Sequence, residues 1–484
     1  MLGIALYTYF FLEDDHLAQR YLDATAEYLR LYSGLFGPYP FEKFAVVENF
    51  FPTGYGFPSY TLLGKRVIRL DFILETSLGH EVAHAWWGNG VLVDYEQGNW
   101  SEALTSYVAD HLFKERASSE HGRAHRLKLL RDFATLVPLE EDFPLSAFST
   151  RLSPTTRAVG YGKGAMVFHM ARCLIGEEAF WGGLKDVFAH KCSERASWDD
   201  FAEAWGRRAQ RDMKPFFTEW VSRIGAPSLA LEQIESKKQG QGWIVTGLLV
   251  QNKPYFQLQV PLRLETKGGA VEATVSLRGK ATPFTLRSAH RPRLLVGDPD
   301  VDLFRRLHPS EIPSTINGIK ASTSLVAVMA KALPKDMRQS VHTLLMSLGQ
   351  EKAPVLAEGQ RDGTDLAKSD ILYVGLPPNL AFLPPLPEGL SVSSKGFKLK
   401  GRTFDQAGDV LFAVFRHGQE SDRGVVALFL PLSQEGLSPS IRKVSHYGKY
   451  SYLAFRKGVN QDKGTWPVKT SPMVFAFPLK EVSP

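Results

Sequence analysis

The chain has 484 residues, 44% of them apolar and 22% charged, the make-up of an ordinary globular protein with room for about three domains. Its net charge of +6 is spread thinly with no basic run, which argues against nucleic-acid binding, and no stretch of eighteen apolar residues is present, so no transmembrane segment is expected. Two cysteines, Cys173 and Cys192, give neither a disulfide framework nor a thiolate metal site.

Residues 1–11 are apolar but lack a basic start and a small-residue cleavage site, and read as a strand rather than a leader. Residues 17–35 read as helix and 44–47 as strand. From 71 to 226 helical spacing dominates. Leu74, Leu78, Val82 and Ala85 form one apolar side, stopped by Gly88-Asn89-Gly90. Leu104, Val108 and Leu112 form another, with Asn99 or Ser101 as N-cap, which puts Glu102 in the first turn. The densest basic stretch, residues 123–131, reads as the solvated face of an amphipathic helix. Further helices are expected at 165–175, 179–190 and 198–211.

Period-two alternation then takes over. Phe256, Leu258, Val260, Leu262 and Leu264 alternate with Gln257, Gln259, Pro261, Arg263 and Glu265, a half-buried strand. Strands at 243–250 and 271–277 complete a small β-sandwich. Residues 307–322, with Pro309 and Pro313, read as a linker. The last domain mixes helix signals at 324–333 and 340–348 with strand signals at 371–374, 410–415 and 425–430. The expected fold is α+β and multidomain: a mostly helical domain over 1–226, the β-sandwich over 227–306, and a C-terminal α/β domain over 323–484 that carries no catalytic motif.

The chemistry concentrates in His80-Glu81-Val82-Ala83-His84. Residues four apart share a helix face, so His80 and His84 aim at one point, as two ligands of one Zn²⁺ do. Glu81, one step round, reaches toward a water there. The same pentapeptide suits a surface helix with two solvated histidines. Catalytic zinc needs a third protein ligand and an open position. Glu102 follows His84 with seventeen residues between, while Asp94 and Glu96 lie nearer but lack the helical pattern after them.

The run from His80 to Asn89, followed by Asn99-Trp100-Ser101-Glu102-Ala103, resembles the aminopeptidase N family of gluzincin metallopeptidases, which includes the leukotriene hydrolases. Phe36-Gly37-Pro38-Tyr39-Pro40-Phe41-Glu42-Lys43, Tyr161-Gly162-Lys163-Gly164-Ala165, and Phe217-Thr218-Glu219-Trp220 with Gly225-Ala226-Pro227 extend the resemblance over residues 1–305. It implies a thermolysin-like catalytic domain acting on a peptide or protein substrate, with one Zn²⁺ per chain on His80, His84 and Glu102. It further implies Glu81 as general base and Tyr161 as the phenol that stabilises an oxyanion. Gly160, Gly162 and Gly164 predict a turn around Tyr161.

Three departures stand out. The spacing from His84 to Glu102 is one residue shorter than the family's. An acidic residue expected seven positions after the glutamate is Ala109 here, with Asp110 beside it. The substrate loop, Thr53-Gly54-Tyr55-Gly56-Phe57-Pro58-Ser59-Tyr60, has Pro58 where the family has the glutamate that holds a substrate's α-amine. Strict aminopeptidase specificity is therefore not expected, unless Glu48, Asp94 or Glu96 takes over. The family's large N-terminal β domain has no counterpart before the resemblance begins, so the chain reads as a fragment, a processed product or a shortened gene product, and its compartment stays open. Two function classes remain: a zinc peptidase, or a non-catalytic peptide-binding or scaffolding relative, with epoxide hydrolysis as a minor third. Glu81 favours the enzyme, since a structural zinc site has no use for it.

Overall fold

The start of the chain forms a four-stranded sheet, in which Phe44, Ala45 and Val46 of an inner strand are buried in succession. Its elements are β1 (Ala5–Tyr9), helix α1 (Ala18–Phe36), β2 (Lys43–Asn49), β3 (Gly54–Phe57) and β4 (Tyr60–Gly64). The order is β1-β2-β4-β3, with β1, β2 and β4 parallel and β3 returning antiparallel at the sheet's edge. The reversal is a two-residue turn at Pro58-Ser59. Pro58 presets the first central position, and Ser59 takes the second at φ 69°, the left-handed region that a type II turn needs. The computed structural model describes residues 3–51, 54–360, 366, 369–380, 383–416, 424–468 and 470–478. Thr53 of the substrate loop lies outside them.

Helix α1 buries Tyr21, Thr25, Leu29, Tyr32 and Phe36, one stripe at helical spacing. That stripe holds helix α2 (Ser77–Ala83): the Tyr32 hydroxyl donates to the Gly79 carbonyl at 3.0 Å, and Tyr32 and Phe36 pack on Trp86. After a loop come α3 (Ser101–Thr105), a π-helical stretch Ser106–His111, α4 (Leu112–Ala117) and α5 (Ser119–Leu136). The helices at Gly164–Ile175, Glu177–Lys191 and Trp198–Ala209 sit close to where the apolar spacing puts them, and a further helix, Lys214–Ser222, follows.

Two antiparallel sheets follow. One has three strands in the order Ala281–Ser288, Gly242–Gln251, Leu229–Gln239; the other has four, Gly269–Leu277, Leu258–Thr266, Pro292–Gly297 and Val474–Ala476. Leu258, Val260, Leu262 and Leu264 are buried, as their alternation requires. The last strand corrects the sequence reading, which left the chain's end in the C-terminal domain. Met473 is buried and Val474–Ala476 pairs with residues 294–296, so Pro472–Pro484 joins Met1–His308 in one unit.

The second unit is Pro309–Ser471. It holds a seven-stranded mixed sheet, in the order Val355–Ala357, Leu325–Met329, Asp370–Val374, Val425–Pro431, Asp409–Arg416, Tyr452–Arg456, Val459–Gly464. One face packs on helical residues such as Val341, Leu344, Leu437 and Ile441, the other on Leu390, Val392, Phe397 and Leu399 of a three-stranded sheet. Two expectations fail here. Residues 324–333 were expected to be helical, but Leu325–Met329 is a strand. Leu325 and Ala327 face one core and Val326 and Val328 the other. A strand buried on both faces shows no polar alternation, so its apolar run mimics a helix. The supposed linker contributes a short helix, Ile316–Lys320, whose Ile316 and Ile319 are fully buried.

Candidate active site

The His-Glu-x-x-His stretch lies at the end of α2, with His84 as its C-cap. Nε2 of His80 and Nε2 of His84 each lie 3.5 Å from Oε2 of Glu102. Glu102 comes from the first turn of α3, whose N-cap is Trp100 and not Asn99 or Ser101 as expected; Asn99 stands one residue earlier, its Oδ1 accepting from the Ser101 amide at 3.0 Å and the Ser101 hydroxyl at 2.8 Å. In the loop between His84 and Glu102, Leu92–Val93 pairs with Arg195–Ala196.

The other ring nitrogens are anchored. Nδ1 of His84 donates to the Trp87 carbonyl at 2.9 Å, and Nδ1 of His80 faces Oδ2 of Asp110 at 3.4 Å. Both rings therefore turn Nε2 toward Glu102, and the two outer partners fix tautomer and orientation as they do around metal ligands. Asp110 reaches His80 although it stands one residue beyond the family's acidic position. In a regular α-helix that extra step swings a side chain by about 100°. The π-helical stretch Ser106–His111 takes in the extra residue, so Asp110 comes round to the imidazole while Ala109 is fully buried.

The charges are tightly linked. Burial opposes protonation of His80, but Asp110 and Glu102 outweigh it and raise its pKa well above the usual histidine value. His84 is raised against burial chiefly by Glu102. The two imidazoles in turn hold Glu102 below the usual carboxylate range despite its burial. Two nitrogens and an oxygen whose donor atoms lie within 4.8 Å of one another suit a divalent cation, which would displace the imidazole protons. Tetrahedral zinc with bonds of about 2.0–2.1 Å puts its ligand atoms about 3.4 Å apart, close to the spacing found, so the donor set fits Zn²⁺.

Glu81 lies under β3. A Cβ added at Gly54 would fall 2.9 Å from Oε1 of Glu81, and one at Gly56 would fall 3.0 Å from Oε2 and 3.0 Å from Cβ of His84. These glycines make room for the carboxylate, whose pKa burial raises against the pull of both imidazoles. Alternation along β3 turns Tyr55 and Phe57 away from Glu81. Phe57 stacks on Tyr60 at 4.8 Å, Pro58 is exposed in the turn, and Ser59 accepts from Lys43 at 3.2 Å. Of the predicted substrate loop, Gly54 and Gly56 are the residues placed against Glu81.

Tyr161 is helical, which corrects the expected turn. Pro154–Arg157, the π-helical stretch Ala158–Lys163 and Gly164–Ile175 run on as one helix. The glycines serve close packing: a Cβ at Gly160 would meet the Phe148 ring at 2.3 Å, and one at Gly164 would meet Cβ of Ala103 at 2.4 Å. The second contact sets this helix directly against the one that bears Glu102. Burial, then the charge of Glu102, push the Tyr161 phenol above its ordinary value, so it stays protonated. Lys163 is buried, donates to the Arg223 carbonyl at 2.8 Å, and is pushed down by burial to about 8. The Trp87 carbonyl and the π-helical stretches left no sequence signal. A second cluster, His169, Cys173 and Asp302, also converges, but Arg126 lies 3.3 Å from Asp302 and competes for its carboxylate.

Two histidines from one helix and a glutamate from the next thus bring two nitrogens and an oxygen to one point. Residues 71–220 match the peptidase family M1 domain. The chain is 28% identical over 171 residues to aminopeptidase N of Haemophilus influenzae (34% of this chain, 19% of the relative). It is 22% identical over 301 residues to the alanine/arginine aminopeptidase of Saccharomyces cerevisiae (57% and 34%). The crystal structure of Legionella pneumophila aminopeptidase A in complex with aspartic acid aligns over 59% of this chain and 34% of that one, at 18% identity and a TM-score of 0.48. The chain thus spans between about a fifth and a third of the length of these relatives. The likeness to the M1, or aminopeptidase N, family of metallopeptidases is therefore carried by residues 71–220.

Proposed function

We propose that this protein is a zinc-dependent, aminopeptidase-like peptidase. The observation that carries the reading is the convergence of His80 and His84 on Glu102 at 3.5 Å each, with Glu81 beside them under an open edge strand. His80, His84 and Glu102 would hold one Zn²⁺ per chain, which when bound polarises a carbonyl and acidifies water. Glu81 takes the proton of the attacking water and passes it to the leaving amine; burial, by raising its pKa, makes it the stronger base. Tyr161, kept protonated, donates to the developing oxyanion. Strand β3, with Gly54 and Gly56 over Glu81, lines the peptide's path. In this reading residues 1–226 form a thermolysin-like catalytic domain, 227–306 a β-sandwich, and most of 323–484 an α/β domain outside the chemistry.

Metal analysis should give about one zinc per chain, lost in His84→Ala. Glu81→Gln should keep the metal while kcat falls by about 10² or more, and Tyr161→Phe should cut kcat by about 10²–10³. Wild-type turnover in Glu81→Gln, or full zinc occupancy in His84→Ala, overturns the assignment.

A further inference from the structure

A cleft of about 360 Å³ opens beside Asp110 and Tyr161, and Tyr161 in its wall adjoins Glu102. Its volume lies within the range of small-ligand sites, about 300–1,000 Å³. Five of its charged lining groups are Asp110, Asp132, Lys128, Arg151 and Arg157. Asp110 is engaged by His80, and Asp132 is paired with Lys128 at 2.5 Å. Among the described residues, the guanidinium groups of Arg151 and Arg157 have no hydrogen-bond or ion-pair partner. His125, also in the wall, is held toward its neutral form by burial. Two free guanidinium groups are thus left facing a pocket whose own acids are occupied.

Their backbones are fixed. Ser153, two residues after Arg151, forms a capping box with Thr156: its hydroxyl accepts from the Thr156 amide at 3.1 Å, and its amide donates to the Thr156 hydroxyl at 2.8 Å. Arg157 sits in that first turn, four residues before Tyr161 on the same continuous helix, so the two side chains share a face. Arg151 is near enough for its charge to act on the Tyr161 phenol. Guanidinium groups recognise carboxylates through paired, charge-assisted hydrogen bonds.

We propose that Arg151 and Arg157 bind a substrate carboxylate in this cleft, making the enzyme selective for peptides that present an acidic side chain or a free C-terminus near the scissile bond. The proposal rests on the peptidase reading above and names its substrate class. Three matched peptides test it: a neutral tripeptide as free acid, the same tripeptide as C-terminal amide, and a glutamate-containing tripeptide amide. The wild-type protein should favour either acid over the neutral amide by about tenfold or more in kcat/KM, mostly through KM, and by less at high salt. The first comparison reports a C-terminal carboxylate, the second an acidic side chain. In Arg151→Ala/Arg157→Ala the acid-to-amide ratio should collapse toward one, and in Arg151→Glu/Arg157→Glu a lysine-containing amide should overtake the acids. A ratio near one in the wild type, or one that survives the double alanine variant, overturns the proposal while leaving the peptidase reading intact. If the zinc-loaded wild type cleaves none of the three, the peptidase reading fails instead. Calorimetry of the same peptides then decides the cleft: equal binding of acid and amide overturns it, and a tenfold preference lost in the double alanine variant supports it.

Discussion

Asp110 is set against His80. Its carboxylate at 3.4 Å holds the imidazole in the tautomer that turns Nε2 toward Glu102. Asp110→Asn keeps the shape of that contact but loses its charge, so zinc affinity should fall about 10–100-fold in a chelator competition while the fold is kept. Unchanged affinity would reduce the contact to packing. Pro58 bears on specificity in a different way. No carboxylate faces Glu81 from β3, Asp94 caps its own turn by accepting from the Glu96 amide at 3.3 Å, and Glu48 accepts from the Phe11 amide at 2.7 Å. Preference for a free α-amine should therefore be weak. Matched peptides with free and acetylated N-termini measure it, and a preference above about a hundredfold, near 3 kcal/mol, would restore a strict aminopeptidase.

Between elements, the contacts that matter most are those glycine permits. Gly56→Ala would drive a methyl group into both Glu81 and His84, so β3 or the carboxylate must shift by a few tenths of an ångström or more. Displacements approaching 1 Å can cost about 10²-fold in rate, and a loss of ten- to a hundredfold in kcat with zinc retained is expected. Gly162, whose added Cβ would meet only Leu129 at 3.9 Å, is the control: Gly162→Ala should leave the rate within about twofold. Equal effects of the two substitutions would refute the crowding argument. The approach of the two histidines to Glu102 was legible in sequence because their spacing survives as motif. The glycine contacts were not, since composition says only that glycine permits a turn, and which atom fills the missing Cβ is a tertiary fact. The π-helical stretch was equally hidden. Read at a period of 3.6, Asp110 points away from His80, and one inserted residue reverses that conclusion. Strand Leu325–Met329 failed for a related reason, burial on both faces having erased the alternation that marks a strand.

Across the whole molecule, the chain's last segment ties the unit that bears the site together. Pro472 accepts from the Leu231 amide at 2.8 Å in the three-stranded sheet, and Met473 accepts from the Gly297 amide at 2.8 Å in the four-stranded one. Met473 fills the space a Cβ at Gly297 would take, 2.4 Å from its Cε, and Phe477 is also buried. Burying two such side chains is worth about 1.5–3 kcal/mol each, so roughly 3–6 kcal/mol depends on a segment far in sequence from the residues it covers. That is a large share of the 5–15 kcal/mol typical of a domain. A chain ending at Ser471 should therefore lose the proposed peptidase activity at a temperature lower by on the order of 10 °C. The unit Pro309–Ser471 keeps both of its cores in that truncated chain, so its own unfolding transition should not move. Calorimetry run beside residual-activity measurements separates the two. If activity survives to the same temperature in both proteins, the strand Val474–Ala476 adds nothing to the stability of the site-bearing unit; if both transitions drop together, the two units do not unfold independently.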